Sequence, residues 1–277
     1  MSNFYIVTEA LFHTSFLVNS AVENLEKSGK YDKFIFIIRN KNGLSKRDLD
    51  HAHKRSNFSC KSSQIEAINK AYKGVSSAER ELLKLYDIPQ LHCLSGNHII
   101  ESQDLNSDNL RVKLEKDTSD KRAGIFLDCI LSPWWIDIFS GRVVNAHTAI
   151  LPFAKGMHAI EQYILESSIE GVENTAGATI HYIDSGVDTG NIIKTKKLNR
   201  VWSHSSISHI KAESYLLAFK LLIEYALEDN SFCINDAYKQ DNIGKEFYSK
   251  HYSQETAIRS NERFLKLKHN ELEISNE

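Results

Sequence analysis

A carboxamide, an imidazole and a carboxylate recur in this chain at spacings that suit attack on one carbonyl group. Asn145 and His147 stand at i and i+2 in VVNAHTAILPFAKGMHAIEQ, Val143 to Gln162, and Asp188 follows in GATIHYIDSGVDTGNII, Gly177 to Ile193. Val143 and Val144 are β-branched and favour a strand, on which residues two apart point to the same face. An amide that donates, a ring that titrates near neutrality and a carboxylate that orients the ring are the parts of an acyl transfer through an oxyanion. That chemistry needs no serine or cysteine nucleophile. His147 is expected to titrate near its ordinary value, with Asp188 favouring the protonated ring. Asn145 would donate to the same developing oxyanion, a contribution of about 3 kcal/mol in such sites.

The surrounding residues predict the elements that hold these groups. Pro152 stops regular structure after the first strand, Gly156 permits a tight backbone, and His158 to Ser167 reads as the start of a helix. Ala178, Ile180 and Tyr182 alternate with Thr179, His181 and Ile183 as a half-buried strand would, and DSGVDTG closes it as a loop carrying Asp184 and Asp188. Upstream, Phe4 to Val7 and Phe34 to Ile38 are short apolar runs of buried parallel strands, separated by helical spacing at Val18, Val22 and Leu25. Ser45 to Arg55 reads as a short helix or loop, and Ser62 to Tyr86 as one helix broken near Gly74 or as two. Leu91 to Leu94 is a third expected strand and Ile125 to Leu131 a fourth. The alternation predicts an α/β fold, a Rossmann-like open and mostly parallel sheet. Ligands of such sheets sit at the C-terminal ends of the strands, where Leu131 and His147 fall.

Ser206 to Leu227 reads as an amphipathic helix, and the rest, with Phe247, Tyr248 and Tyr252, as irregular, with HNELEISNE frayed at its end. The expected organisation is a catalytic core of 1–198 with a C-terminal α-rich extension of 199–277.

The set Asn145, His147, Leu151, Pro152 and Gly156, followed by Gly177, Thr179, His181 and Asp188-Thr189-Gly190, resembles the formyltransferase family that uses N10-formyltetrahydrofolate. The likeness is strong from Gly124 to Ile193 and weaker on either side. It departs from the family's Asn-x-His-Pro-Ser-x-Leu-Pro at Thr148 and Ala149. The resemblance implies the formyltransferase fold, N10-formyltetrahydrofolate as formyl donor, and catalytic roles for Asn145, His147 and Asp188. It implies that the backbone of Cys129, Ile130 and Leu131 grips the pterin and that the Asp184 to Val187 loop closes over its other edge. Thr179 and His181 match positions lining the same pocket and are expected to support the Asp188 loop. Lys155 and His158 flank Gly156 and are placed to meet an anionic acceptor, with Arg39 and Asn40 as weaker candidates.

Composition narrows the remaining possibilities. With 34 basic and 36 acidic residues among 277, no global charge favours nucleic acid, and the chain is short for the extra barrel of transfer-RNA-modifying relatives. Cys60, Cys93, Cys129 and Cys233 lack paired spacing and read as reduced, mostly buried thiols of a cytoplasmic protein. His51 and His53 have no companion ligand nearby, so no metal site is expected. Only Gly29, Gly43 and Gly74 fall in the first 95 residues, which argues against a glycine-rich NAD or ATP loop. No run approaches the roughly 20 apolar residues of a membrane span. The N-terminal residues lack a basic leader and read as strand then helix.

The expected function is an N-formyltransferase acting on the primary amine of a small molecule, a nucleotide-linked amino sugar being the first guess. A formyltetrahydrofolate deformylase, releasing formate to water, is the alternative, and GATIHYI resembles the corresponding strand of those enzymes. A silent folate or partner binder is a third reading, disfavoured because a binder needs no proton-transfer group beside the carbonyl. A homodimer is expected from family habit.

Overall fold

In the computed structural model, which describes residues 2–56, 60–91, 99–228, 237–241 and 244–274, strands and helices alternate as the sequence predicts. In chain order they are β1 (Ser2–Glu9), α1 (Thr14–Ser28), β2 (Lys33–Arg39), α2 (Lys46–Ser56), α3 (Lys61–Ala71), α4 (Ser77–Leu85), β3 (Ile99–Ser102), α5 (Asp108–Glu115), β4 (Asp120–Phe126) and α6 (Trp134–Ile138). There follow β5 (Val143–His147), β6 (Ala154–Gly156), α7 (Ala159–Tyr163), α8 (Ile169–Thr175), β7 (Gly177–Tyr182), β8 (Ile192–Lys197), α9 (Ile207–Leu227), β9 (Lys245–Phe247) and α10 (Gln254–Ile274). By packing, the chain groups into two compact units, Met1–Asn145 with Leu222–Ser231, and Ala146–Leu221 with Phe232–Glu277. The core of 1–198 and extension of 199–277 remain a proposal about role.

The first unit is built on parallel strands in the order β3-β2-β1-β4-β5. Seven of the eight residues of β1 are buried, as expected of a central strand covered on both faces, and this is why its sequence is a run of apolar residues rather than an alternation. Gly124 of β4 lies under Leu222, where a Cβ would stand 2.6 Å from Leu222 Cδ1, so only glycine lets strand and helix approach this closely. Strand β5 continues from Asn145 into the second unit, where the order runs on to β7 and β8, the last two antiparallel. The mostly parallel sheet predicted from the sequence is therefore present.

Several details differ from the sequence reading. The strand expected over Leu91 to Leu94 lies largely outside the described residues, and the third strand is Ile99–Ser102. The fourth starts earlier than predicted and stops at Phe126, because Asp128 and the residues before Pro133 turn away from the sheet. Ser62 to Tyr86 forms two helices, with Lys73 and Gly74 in left-handed conformations between them and a Ser76–Glu79 capping box opening the second.

The largest correction concerns the C-terminal segment. Residues expected to be irregular form β9, paired in parallel with β6, and the 21-residue helix α10, which carries the supposedly frayed HNELEI to Ile274. Its buried positions, Ser260, Phe264 and Leu267, recur at intervals of four and three, a narrow stripe hidden among charged residues. Phe264 stacks on Trp202 at 5.5 Å, inside a core shared with Ile160, Ile164, Val172, Ile210 and Phe247. The segment is thus part of the second unit's core. Among the described residues, no helix is long and apolar enough to cross a membrane.

Candidate active site

Strand β5 presents Asn145 and His147 on one face at its C-terminal end, as their i, i+2 spacing requires. The chain then turns through the cis Leu151–Pro152 peptide into β6. Thr179 of β7 fixes this turn, donating from its hydroxyl to the Ala149 carbonyl at 2.8 Å and accepting from the Leu151 amide at 3.0 Å. Thr179 is fully buried, so its hydroxyl holds the turn after His147 rather than the loop it was expected to support.

Around His147 the second unit gathers two imidazoles on one carboxylate. Asp188 Oδ2 lies 3.3 Å from His147 Nδ1, and Asp188 Oδ1 lies 3.3 Å from His181 Nε2. Asp188 Oδ2 also accepts the Gly156 amide at 2.7 Å. The remaining ring nitrogens face carbonyls: His147 Nε2 stands 2.9 Å from Ala154 O, and His181 Nδ1 stands 2.8 Å from Tyr182 O. Four ring nitrogens therefore meet four acceptor contacts. Two neutral imidazoles carry only two N–H groups between them, so the cluster has room for a further proton.

The electrostatics correct one sequence expectation. His147 titrates below its ordinary value, because complete burial disfavours the charged ring more than Asp188 favours it, with His181 and Lys211 opposing the proton as well. Burial alone would raise Asp188, yet the charge of His147, the hydrogen bond and charge of His181 and the Gly156 amide outweigh it and hold the carboxyl well below the usual range. Asp188 is a carboxylate held between two imidazole rings.

The loop that carries Asp188 is organised by Asp184, whose Oδ1 accepts from the Gly186 amide at 3.0 Å and the Thr189 hydroxyl at 2.6 Å. Val187 is half-buried there, and Asp188 itself adopts φ 51°, a conformation that aspartate tolerates better than most residues. Gln240 braces the loop from outside, donating to the Asp188 carbonyl at 2.9 Å and the Gly190 carbonyl at 2.6 Å. Sequence reasoning missed Gln240, since it lies 52 residues away in a polar stretch without a motif.

Lys155 is buried on β6 rather than solvated. His158, also left-handed at φ 52°, is partly exposed and lies 3.4 Å from Glu161 Oε1, with Tyr252 stacked on its ring at 3.9 Å. In the first unit, Cys129, Ile130 and Leu131 follow β4, with the Ile130 side chain 76% exposed. Asn106 clamps that loop, donating to the Ile130 carbonyl at 3.0 Å and accepting from the Ser132 amide at 2.7 Å. Arg39 makes ion pairs to Glu9 and Asp128, and Asn40 makes two hydrogen bonds to Leu44. Cys60 is exposed, contrary to expectation, Cys129 is half-buried, and Cys93 and Cys233 lie outside the described residues.

Comparison with known proteins identifies a family and a fold. The family described as Formyl transferase matches residues 10–224. A stretch of 64 residues is 41% identical to the trifunctional purine biosynthetic protein adenosine-3 of Drosophila pseudoobscura pseudoobscura, covering 23% of this chain and 4% of that protein. The chain thus spans a small part of that relative's length. Among solved structures, a sugar N-formyltransferase from a Shewanella species is similar with a TM-score of 0.52 at 10% identity, over 95% of this chain and 87% of the other. An N-formyltransferase from Helicobacter canadensis, in complex with folinic acid and dTDP-3-aminofucose, gives 0.52 at 17% identity, over 94% and 79%. Both likenesses are of fold.

Proposed function

The chain belongs to the formyl transferase family, and from that premise we propose that it moves the formyl group of N10-formyltetrahydrofolate to the primary amine of a nucleotide-linked amino sugar. The observation that carries the reading is the His147–Asp188–His181 cluster, a proton-handling group at the C-terminal end of the strand on which Asn145 lies two residues earlier. The folinic acid and dTDP-3-aminofucose held by the Helicobacter canadensis protein support the choice of donor and acceptor class.

In this mechanism the acceptor amine attacks the formyl carbon, forming the new C–N bond while the carbonyl electrons move onto oxygen. The Asn145 amide donates to that oxygen, and His147 Nε2 does so by exchanging the Ala154 carbonyl it faces for the formyl oxygen. Asp188 holds His147 in place and orients the water that collects the proton the amine loses. The oxygen lone pair then re-forms the carbonyl, the bond to N10 breaks, and N10 receives a proton. The products are a formamide and tetrahydrofolate. Cys129, Ile130 and Leu131, with Asp184 and Val187, are the residues assigned to the donor. The exposed Ile130 side chain on a clamped loop suits a flat ring, which would cover apolar surface otherwise left to water. Lys155 and His158 are assigned to the acceptor.

The test is incubation of the purified protein with N10-formyltetrahydrofolate, with and without nucleotide-linked amino sugars, following products by mass spectrometry. Turnover only with an amine, and a product heavier by one formyl group, is expected. Formate released at full rate without an amine would make the protein a deformylase and overturn the proposal.

A further inference from the structure

We propose that Lys211 is a positioning residue for the reaction at His147, pinning the residue next to it in the chain and keeping a positive charge on that side of the ring. The inference rests on the assignment of His147 as the proton donor.

Lys211 projects from α9 and is only 6% exposed. Its ammonium donates to Thr148 Oγ1 at 2.9 Å and lies 3.4 Å from Glu161 Oε2. Glu161 is equally buried, and its Oε2 has no hydrogen-bond partner among the described residues. Both charges have given up water for an attraction without a hydrogen bond between them, an arrangement that two apolar side chains would match or better in stability. Stability alone therefore does not account for the pair. Thr148 follows His147 directly, so the ammonium is tied to the backbone one residue from the imidazole.

A proton donor must also let its proton go. The ring nitrogens of His147 face the Ala154 carbonyl from β6 and the Asp188 carboxylate from the loop after β7, two acceptors that would both retain an N–H. Burial opposes the charged ring, as do His181 from β7 and Lys211 from α9. Of these two, His181 shares the Asp188 carboxylate with His147. Lys211 is the fixed one, held apart by Thr148 and Glu161, and it biases the ring toward release. Thr148 supplies the hydroxyl that lets the lysine dock.

The experiment is an NMR titration of the histidine side chains of the full chain, with His147 assigned by loss of its signal in His147→Gln. Wild type is compared with Lys211→Met, Lys211→Arg and the double variant Glu161→Gln/Lys211→Met. The double variant leaves no unpaired buried charge, and it carries the test should the single one fail to fold. Lys211→Met is expected to move the His147 midpoint upward by about half a pH unit or more, and the double variant, which also removes the opposing Glu161 charge, to move it upward by less. Lys211→Arg should restore it. In turnover, kcat should fall roughly tenfold with KM for the donor unchanged, as expected when a proton-transfer group is mistuned. An unmoved midpoint in the folded double variant would overturn the role of Lys211. The titration is read without turnover, so an inactive wild type would sink the functional assignment alone.

Discussion

Asp188 Oδ2 lies 3.3 Å from His147 Nδ1, although the two stand 41 positions apart with turn, helix and strand between them. Gly156 donates its amide to the same carboxylate oxygen at 2.7 Å, so the backbone entering α7 fixes the carboxylate that orients the ring. Replacing Asp188 by Asn preserves its shape and removes its charge. The variant should fold, bind the donor within a few-fold of wild type and lose roughly 10²–10⁴ in kcat, the usual range for positioned acid–base groups. Steady-state kinetics beside a direct donor-binding measurement checks this, and an unchanged kcat would mean that Asp188 serves structure only.

Gly156 cannot be replaced without moving that carboxylate. It has φ +85°, and a Cβ there would stand 2.1 Å from the Phe247 carbonyl oxygen of β9. Gly156→Ala should therefore unpair β6 from β9 as well as strain the turn. Loss of more than about 2 kcal/mol is expected, combining the backbone conformation and lost hydrogen bonds. Chemical denaturation measures it, and a midpoint within error of wild type would show that the two strands separate at no cost.

The placement of Asn145, His147 and the Asp188 loop was legible in the sequence because strand period and glycine positions are local signals. Asn145 and His147 needed only the i, i+2 rule, and the Asp188 loop announced itself through DSGVDTG. What brings Gln240 to the carbonyls of the Asp188 loop and Lys211 to Thr148 is tertiary, and no spacing along the chain reports it. The titration of His147 was misjudged for the same reason. Charge proximity can be read from a motif, but the complete burial that outweighs it depends on packing by distant elements. Helix α10 was overlooked because three buried positions in 21 residues are a weak periodic signal beside its many charges.

His53 offers a pH test independent of the active site. Its Nδ1 lies 2.7 Å from the Pro89 carbonyl and its Nε2 lies 2.8 Å from the Tyr72 hydroxyl, which a neutral ring with its hydrogen on Nδ1 satisfies on both sides. Burial pushes the ring from 6.5 down to about 4. The unfolded chain then binds more protons across that interval, so stability is complete above pH 6.5 and is lost as pH falls toward 4. The loss should reach about 3 kcal/mol, at 1.36 kcal/mol per unit. Denaturation midpoints between pH 7 and 4 should show this slope in wild type and a flatter one in His53→Gln. Parallel slopes in the two proteins would place the proton uptake elsewhere.

The C-terminal helix is a structural partner of the catalytic turn, and Phe264 is where that dependence can be measured. Its ring is fully buried, stacks on Trp202, and belongs to the same core as Ala149 and Ala154, which flank the turn between His147 and Gly156. Ser260, one helical turn earlier, donates to the Glu161 carbonyl at 2.5 Å, so α10 also grips the helix that carries His158's carboxylate partner. Phe264→Ala leaves a cavity in this core and should destabilise the protein by about 3–5 kcal/mol. Because the affected core underlies the turn and not β1 to β4, the loss should fall first on the second unit. Hydrogen exchange should show faster opening at α7 and α10 while the amides of β1 and β4 keep their protection. Uniform acceleration across both groups would mean that the chain unfolds as one cooperative body, and undiminished stability would mean that α10 contributes nothing to the turn beneath His147.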